Sequence, residues 1–131
     1  MDQEIGRKWV AALRSGEYTQ TTGTLRREGS GGFGGPAGFC CLGVLCDIMD
    51  PGRWGETTFT GAVCYGATNE GGAADGMPPW DILKRAALAE SIPRDYGDDV
   101  RPAISADDLA RRNDGGATFA EIADIIEEAL R

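Results

Sequence analysis

The 131-residue chain contains no histidine. This absence excludes an imidazole base, a histidine ligand for zinc, and the Ser-His and Cys-His pairs of many hydrolases. None of the four serines lies in a G-x-S-x-G motif, and no phosphate-binding G-x-x-x-x-G-K-[ST] loop occurs. We therefore expect a binding protein without catalytic residues, not an enzyme.

Positive charge is also scarce, because 13 Lys+Arg stand against 21 Asp+Glu and give a net charge of −8. The phosphates of duplex nucleic acid would repel such a chain, which excludes that class of partner. No apolar run approaches the roughly 18 residues that a transmembrane helix needs. The first residues lack the basic and apolar regions of a secretion signal. We expect a cytoplasmic protein that does not associate with membranes.

The four cysteines form no C-x-x-C pair. Adjacent Cys40 and Cys41 are poorly placed to converge on one zinc ion, so we expect no metal site. An even number of cysteines is compatible with disulfides, but a reducing cytoplasm favours free thiols. Because three cysteines lie in the apolar run that begins at Phe39, the sequence predicts that they are buried as small hydrophobic side chains.

The sequence contains a match to a nucleotide-binding motif, but the residues that follow it do not suit that role. Residues 29–34 match G-x-G-x-x-G, which binds a pyrophosphate where a helix begins inside the motif. Here Gly35 and Pro36 follow, so no helix is expected to begin inside the motif. We therefore expect no dinucleotide cofactor, and no cofactor of another kind is indicated.

The pattern of apolar residues predicts an α+β fold: a single small domain over residues 1–131, with about four helices and a few short antiparallel strands. Helices are predicted over 2–15, over 81–90 and from Thr118 onward, with a short helix opening at Ser105. Within the apolar run 39–49, residues from Cys41 onward fit a buried helix, and Phe39 and Cys40 are candidates for the end of a strand. Strands are predicted over 17–22, 25–27, 57–60 and 62–65. Two glycine-rich stretches, near 28–38 and 66–79, are expected to be mobile loops.

Two arginines are the first candidates for a ligand site. Residues 1–27 hold five basic and three acidic residues, whereas the rest of the chain is strongly acidic. Arg26 and Arg27 directly precede the first glycine-rich stretch. The planar guanidinium donates two parallel hydrogen bonds to a phosphate, so this pair predicts a small-anion site.

Three further residues are candidates. Asn113 and Asp114 lie in a predicted turn before the last helix, whose free N–H groups attract anions, and Asn113 is a polar group that could contact a base or ribose. A purely structural role for this turn is the stronger interpretation. Tyr96, in an irregular stretch, is a candidate for stacking on a base.

Three segments, residues 9–20, 39–47 and 113–124, together resemble small proteins encoded by tailed phages and prophages. The most similar family is the phage Thoeris anti-defence sponge family, in the first form described. The resemblance covers about a third of the chain. The Gly29–Gly38 stretch resembles an insertion relative to that family.

The resemblance implies a protein that sequesters a cyclic ADP-ribose immune signal, or cyclic oligonucleotides, in the host bacterial cytoplasm without cleaving it. It further implies a dimer or hexamer with pockets between protomers. Arg26 or Arg27 would then bind the phosphate, Asn113, in the turn with Asp114, would contact the base, and Tyr96 would stack.

Two other hypotheses stay open. The acidic surface is also typical of an adaptor or inhibitor that binds a basic host protein. Paired carboxylates could run acid–base chemistry in a small hydrolase, although adjacent helical residues point about 100° apart. These pairs are Asp98 with Asp99, Asp107 with Asp108, and Glu127 with Glu128.

Overall fold

A computed structural model describes residues 1–28, 37–58, 61–66, 76–90 and 104–130. These residues form five α-helices and two antiparallel sheets of two strands each. The predicted α+β fold is confirmed. Most of the two glycine-rich stretches, residues 29–36 and 67–75, lies outside the described residues.

Helix α1 (Gln3–Arg14) begins where the sequence predicts. Its N-cap is Asp2, whose carboxylate accepts a hydrogen bond from Ile5 N at 2.9 Å. Trp9, Val10 and Leu13 recur at helical spacing and are buried. The buried face of α1 packs along the last helix, so these two helices form one side of the domain.

Helix α2 (Cys41–Met49) is the centre of the core. Its first six residues are all buried, because other elements surround this end of the helix. A Cβ built on Gly43 would lie 1.8 Å from the carbonyl oxygen of Leu25, so only glycine permits this approach of backbone to helix. Trp9 Nε1 donates to the carbonyl of Cys41 at 2.9 Å and joins α1 to α2.

The four strands are short. β1 (Arg26–Arg27) pairs antiparallel with β2 (Gly38–Phe39), and β3 (Trp54–Thr57) pairs antiparallel with β4 (Val63–Tyr65). A single bridge between Arg27 and Ala62 joins the two pairs. The predicted strand over 17–22 is wrong, since Gln20 alone makes a bridge there. β3 begins three residues before the predicted strand, directly after a 3-10 turn.

The last three helices are α3 (Trp80–Arg85), α4 (Ala106–Asp114) and α5 (Phe119–Leu130). α3 is shorter than predicted, because Ala87 adopts the left-handed conformation at φ +52° and ends it. Both predicted caps are confirmed: Ser105 Oγ accepts from Asp108 N, and Thr118 and Glu121 bond each other's backbone N–H.

The cysteine prediction is confirmed for the apolar run. Cys40, Cys41 and Cys46 are buried free thiols, while Cys64 on β4 is half-buried. Burial raises the pKa of Cys40 to about 11 and the pKa of Cys41 well above its usual value. These two thiols therefore stay protonated at neutral pH and are not nucleophiles. Among the described helices, the longest have twelve residues, and none is long and apolar enough to cross a bilayer.

Candidate functional site

Arg26 lies over a cluster of aromatic rings. Its guanidinium carbon is 5.1 Å from the centre of the Phe39 ring and 5.3 Å from the centre of the Trp54 ring. Both distances lie within the roughly 6 Å over which a cation is attracted to a ring face. The Arg26 side chain is 28% exposed and pairs with Glu28 at 3.2 Å. One planar cation is therefore held against two rings at the surface, with one carboxylate beside it.

The strand register explains this arrangement. Arg26 and Phe39 are directly opposite each other in the β1–β2 pair, which brings their side chains to the same face. Trp54 is the first residue of β3, and its ring packs edge-to-face on Phe39 at 5.8 Å. Two separate hairpin-like pairs thus contribute to one surface cluster.

The carboxylate of Asp47 holds two aromatic side chains in place through hydrogen bonds. Asp47, on α2, accepts a hydrogen bond from Tyr18 O–H at 2.6 Å and another from Trp54 Nε1 at 3.0 Å. Tyr18 also packs edge-to-face on Phe39, with ring centres 5.0 Å apart. Burial, followed by the bond to Asp47, raises the pKa of Tyr18 to about 12, so this hydroxyl donates and does not act as a base at neutral pH. We call Arg26, Phe39, Trp54, Tyr18 and Asp47 the aromatic–arginine cluster.

A second arginine anchors the inner end of the cluster. Arg53 bonds Asp50 at 2.9 Å and Asp81 at 2.7 Å, and its guanidinium lies 5.9 Å from the centre of the Tyr65 ring. The guanidinium lowers the pKa of Asp81 and keeps this carboxylate ionised. Because Arg53 directly precedes Trp54, these ion pairs hold the start of β3 in place.

Arg27, the other predicted anion-binding residue, belongs to a different environment. Successive residues of a strand point to opposite faces, so Arg26 and Arg27 do not present their side chains together. Arg27 Nη2 donates to the carbonyl of Thr22 at 3.4 Å. The two arginines are therefore not placed to form one site on the exposed side of Phe39, where Arg26 lies.

Asn113 is fully buried and its amide is taken up by the fold. Its Oδ1 accepts from Gln20 Nε2 at 2.9 Å and from Cys41 N at 3.2 Å. Its Nδ2 donates to the carbonyl of Thr21 at 2.9 Å. The side chain ties the end of α4 to the start of α2 and to the segment that follows α1. A ligand would have to break these bonds to reach it.

Asp114 is exposed and has a similar structural role. Its carboxylate accepts from Gly23 N at 2.9 Å and from Asn113 Nδ2 at 3.4 Å. The contacts described for Arg26 are with Glu28, Phe39 and Trp54, and not with this turn. The two regions are linked through Phe39, whose ring contacts Arg26 and whose carbonyl accepts from Thr21 N. Tyr96, the predicted stacking residue, lies outside the described residues.

The three segments that carried the family resemblance meet in the interior. The 9–20 and 39–47 segments are joined by the bonds from Trp9 to Cys41 and from Tyr18 to Asp47. The 113–124 segment joins both through Asn113. Much of what makes these segments recognisable therefore serves folding.

The aromatic–arginine cluster was missed by sequence reasoning, apart from Arg26. Phe39 was noted only as part of the apolar run, and none of Tyr18, Trp54 and Asp47 was assigned a role. Arg26 and Phe39 are close because their strands pair, and a pairing between residues distant in the chain leaves no local pattern in the sequence. The sequence around Trp54 shows only an aromatic residue shortly after Pro51 and Gly52.

The described carboxylate pairs are used as ion pairs. Asp107 and Asp108 contact Arg111 and Arg112 one turn later on α4, with 2.8 Å between Arg112 Nε and Asp108 Oδ2. Glu127 pairs with Arg14 across the α1–α5 contact. The described residues contain no cluster of three or more acidic or thiol side chains positioned to hold a metal. Asp98 and Asp99 lie outside the described residues.

Comparison with known proteins supplies a family. Residues 1–130 match the family described as "Domain of unknown function (DUF8296)". The chain belongs to the DUF8296 family. No curated protein and no solved structure is similar enough to count as a match. The match covers almost the whole chain, so the α+β domain is one DUF8296 unit.

Proposed function

We propose that this protein binds a phosphorylated cyclic nucleotide of the cyclic ADP-ribose type at the aromatic–arginine cluster and releases it unchanged. In this proposal it is a phage-encoded sponge that removes an immune signal from the host cytoplasm. The observation that supports the proposal best is the partly exposed side chain of Arg26, whose guanidinium is held against the rings of Phe39 and Trp54.

The arrangement suits a ligand that carries both a phosphate and a base. The phosphate would replace the Glu28 carboxylate on Arg26, because an arginine fork bonds a phosphate in two places. The base would stack on the half-buried rings of Phe39 or Trp54, at about 1–3 kcal/mol per stacked base. Contact of the guanidinium with two rings limits its rotation before binding, which reduces the entropy cost of capture.

The groups around the cluster suit binding better than turnover. The Asp47 carboxylate already accepts two hydrogen bonds, and the Tyr18 hydroxyl stays protonated at neutral pH. Neither is poised to remove a proton from an attacking water. An unchanged ligand is therefore the expected product of the encounter.

Calorimetric titration with isomers of cyclic ADP-ribose tests the proposal, with cyclic di- and trinucleotides as additional ligands. We expect binding by at least one of them, and Arg26→Ala should weaken it about 10- to 100-fold, the usual loss of a charge-assisted hydrogen bond. Arg7→Ala, an exposed arginine on α1, is the matched control and should change the affinity less than about twofold.

Heating the complex and analysing the supernatant by mass spectrometry separates a sponge from an enzyme. Intact ligand in stoichiometric amount supports sequestration, whereas a cleaved product contradicts it. No heat with any of these ligands, or equal losses for Arg26→Ala and Arg7→Ala, would refute the site. Native mass spectrometry tests the further proposal of a dimer or hexamer.

A further inference from the structure

A second surface feature lies away from the aromatic–arginine cluster. A groove of about 770 Å³ lies between α5, α4 and the described residues that follow α3. Its floor includes Leu88, Ile104 and Ile125. The volume is within the range of about 300–1,000 Å³ that proteins use for ligands, and it accommodates several apolar side chains.

The rim of this groove is acidic. It carries the carboxylates of Asp108, Asp124 and Glu128 and the single guanidinium of Arg112, which pairs with Asp108 at 2.8 Å. Asp124 is paired with Arg14 at 2.6 Å on its other side. Three carboxylates against one guanidinium in the lining leave the groove with an excess of negative charge.

Helix α5 places negative charge near its C-terminus, beside this groove. Its twelve residues include four carboxylates and no lysine or arginine. Glu127 and Glu128 lie in its last turn, where the helix dipole disfavours negative charge by about 0.3–1 kcal/mol for each. Glu127 pairs with Arg14. Two of the four carboxylates, Asp124 and Glu128, line the groove and supply most of its negative charge.

We propose that this groove binds a basic amphipathic helix of a partner protein. Apolar side chains of the helix, spaced three and four residues apart, would lie on Leu88, Ile104 and Ile125, and flanking Lys or Arg would meet the rim carboxylates. The acidic rim argues against a second copy of this chain docked groove to groove, because two acidic surfaces would repel. This surface is independent of the nucleotide proposal.

The experiment uses the full chain and a synthetic probe. The probe is a peptide of about 15 residues, or four helical turns, with Leu on one face and Lys on its flanks. A matched peptide carries Glu in place of Lys. Methyl resonances of Leu88, Ile104 and Ile125 in the full-length protein report where each peptide binds, and titration gives the dissociation constant.

Three variants make the result specific. Glu128→Lys reverses a charge on the rim, and Glu17→Lys makes the same change in net charge at an exposed residue outside the groove. We expect about tenfold weaker binding for the first and less than about twofold for the second. Ala129→Trp, which fills the groove from an exposed position on α5, should weaken the probe at least about tenfold.

Several outcomes would overturn the proposal. Equal effects of Glu128→Lys and Glu17→Lys would mean nonspecific attraction to an acidic protein. If the Glu peptide binds equally well, or if the methyl shifts are confined to other residues, the groove does not bind a basic helix. Shifts at Ile104 and Ile125 that grow with protein concentration in the absence of peptide would assign the groove to a second copy. Far-ultraviolet circular dichroism of each variant shows that the fold is kept.

Discussion

Replacing Asn113 by alanine should destabilise the domain severely, although sequence reasoning made this residue a ligand candidate. The asparagine is fully buried, and its amide bonds three segments that are distant in sequence. Alanine would leave the N–H of Cys41 and the carbonyl of Thr21 without their Asn113 partner. Both residues are almost completely buried, so water cannot replace that partner.

The magnitude follows from these two groups. A buried polar group that loses its partner costs about 1–3 kcal/mol, so two of them give a loss of about 2–6 kcal/mol. Gln20 Nε2 also loses its bond to Asn113, but it keeps a bond to the carbonyl of Ala117 at 2.7 Å. A domain of this kind has only about 5–15 kcal/mol of total stability, so the variant should be close to unfolding.

Urea denaturation followed by tryptophan fluorescence measures this loss, because buried Trp9 donates to the carbonyl of Cys41 beside the affected N–H. The matched control is Asp114→Ala, one residue along, which removes an exposed bond to Gly23 N and should cost at most about 1 kcal/mol. If the two variants lose the same small amount of unfolding free energy, and the slope of that free energy against urea concentration is also the same, the reasoning from burial is refuted. An Asn113→Ala protein of unchanged stability that no longer binds nucleotide would instead make Asn113 a ligand residue.

Three further predictions concern folding. Gly43→Ala should lose more than about 3 kcal/mol of unfolding free energy or fail to fold, because the new methyl group meets the carbonyl of Leu25. Gly55→Ala, whose new methyl group would have its nearest neighbouring atom at 3.7 Å, should give a soluble folded protein. The yields and urea curves of the two variants check this. Ala87→Gly should raise the free energy of unfolding by about 0.5–1 kcal/mol, since glycine adopts the left-handed conformation without strain, and a lower melting temperature would contradict this. The pKa of Tyr18, raised to about 12, predicts a stabilising contribution that is complete below the unfolded pKa of about 10 and is lost as pH rises from that value to the folded one. Tyr18→Phe should therefore flatten the loss of unfolding free energy at alkaline pH. Identical pH profiles of the two proteins would contradict the assignment.

Local patterns in the sequence determined the helices and their caps. The apolar spacing around Trp9 placed α1, and the caps at Ser105 and Thr118 placed the starts of α4 and α5 to within a residue. These predictions succeeded because helix formation and capping involve residues three and four positions apart. The strands were predicted less well, since pairing depends on partners that are distant in the chain.

The candidate site required the tertiary structure. The sequence by itself determined that the chain has no histidine, an acidic surface and an arginine pair beside a glycine-rich stretch. Only the folded chain decided that Arg26 faces Phe39 and Trp54, while the side chain of Asn113 is buried and hydrogen-bonded in the interior. The physical reason is that a residue's chemistry depends on which groups surround it and how much water reaches it. Those neighbours come from segments that only the pairing of strands and the packing of helices bring together.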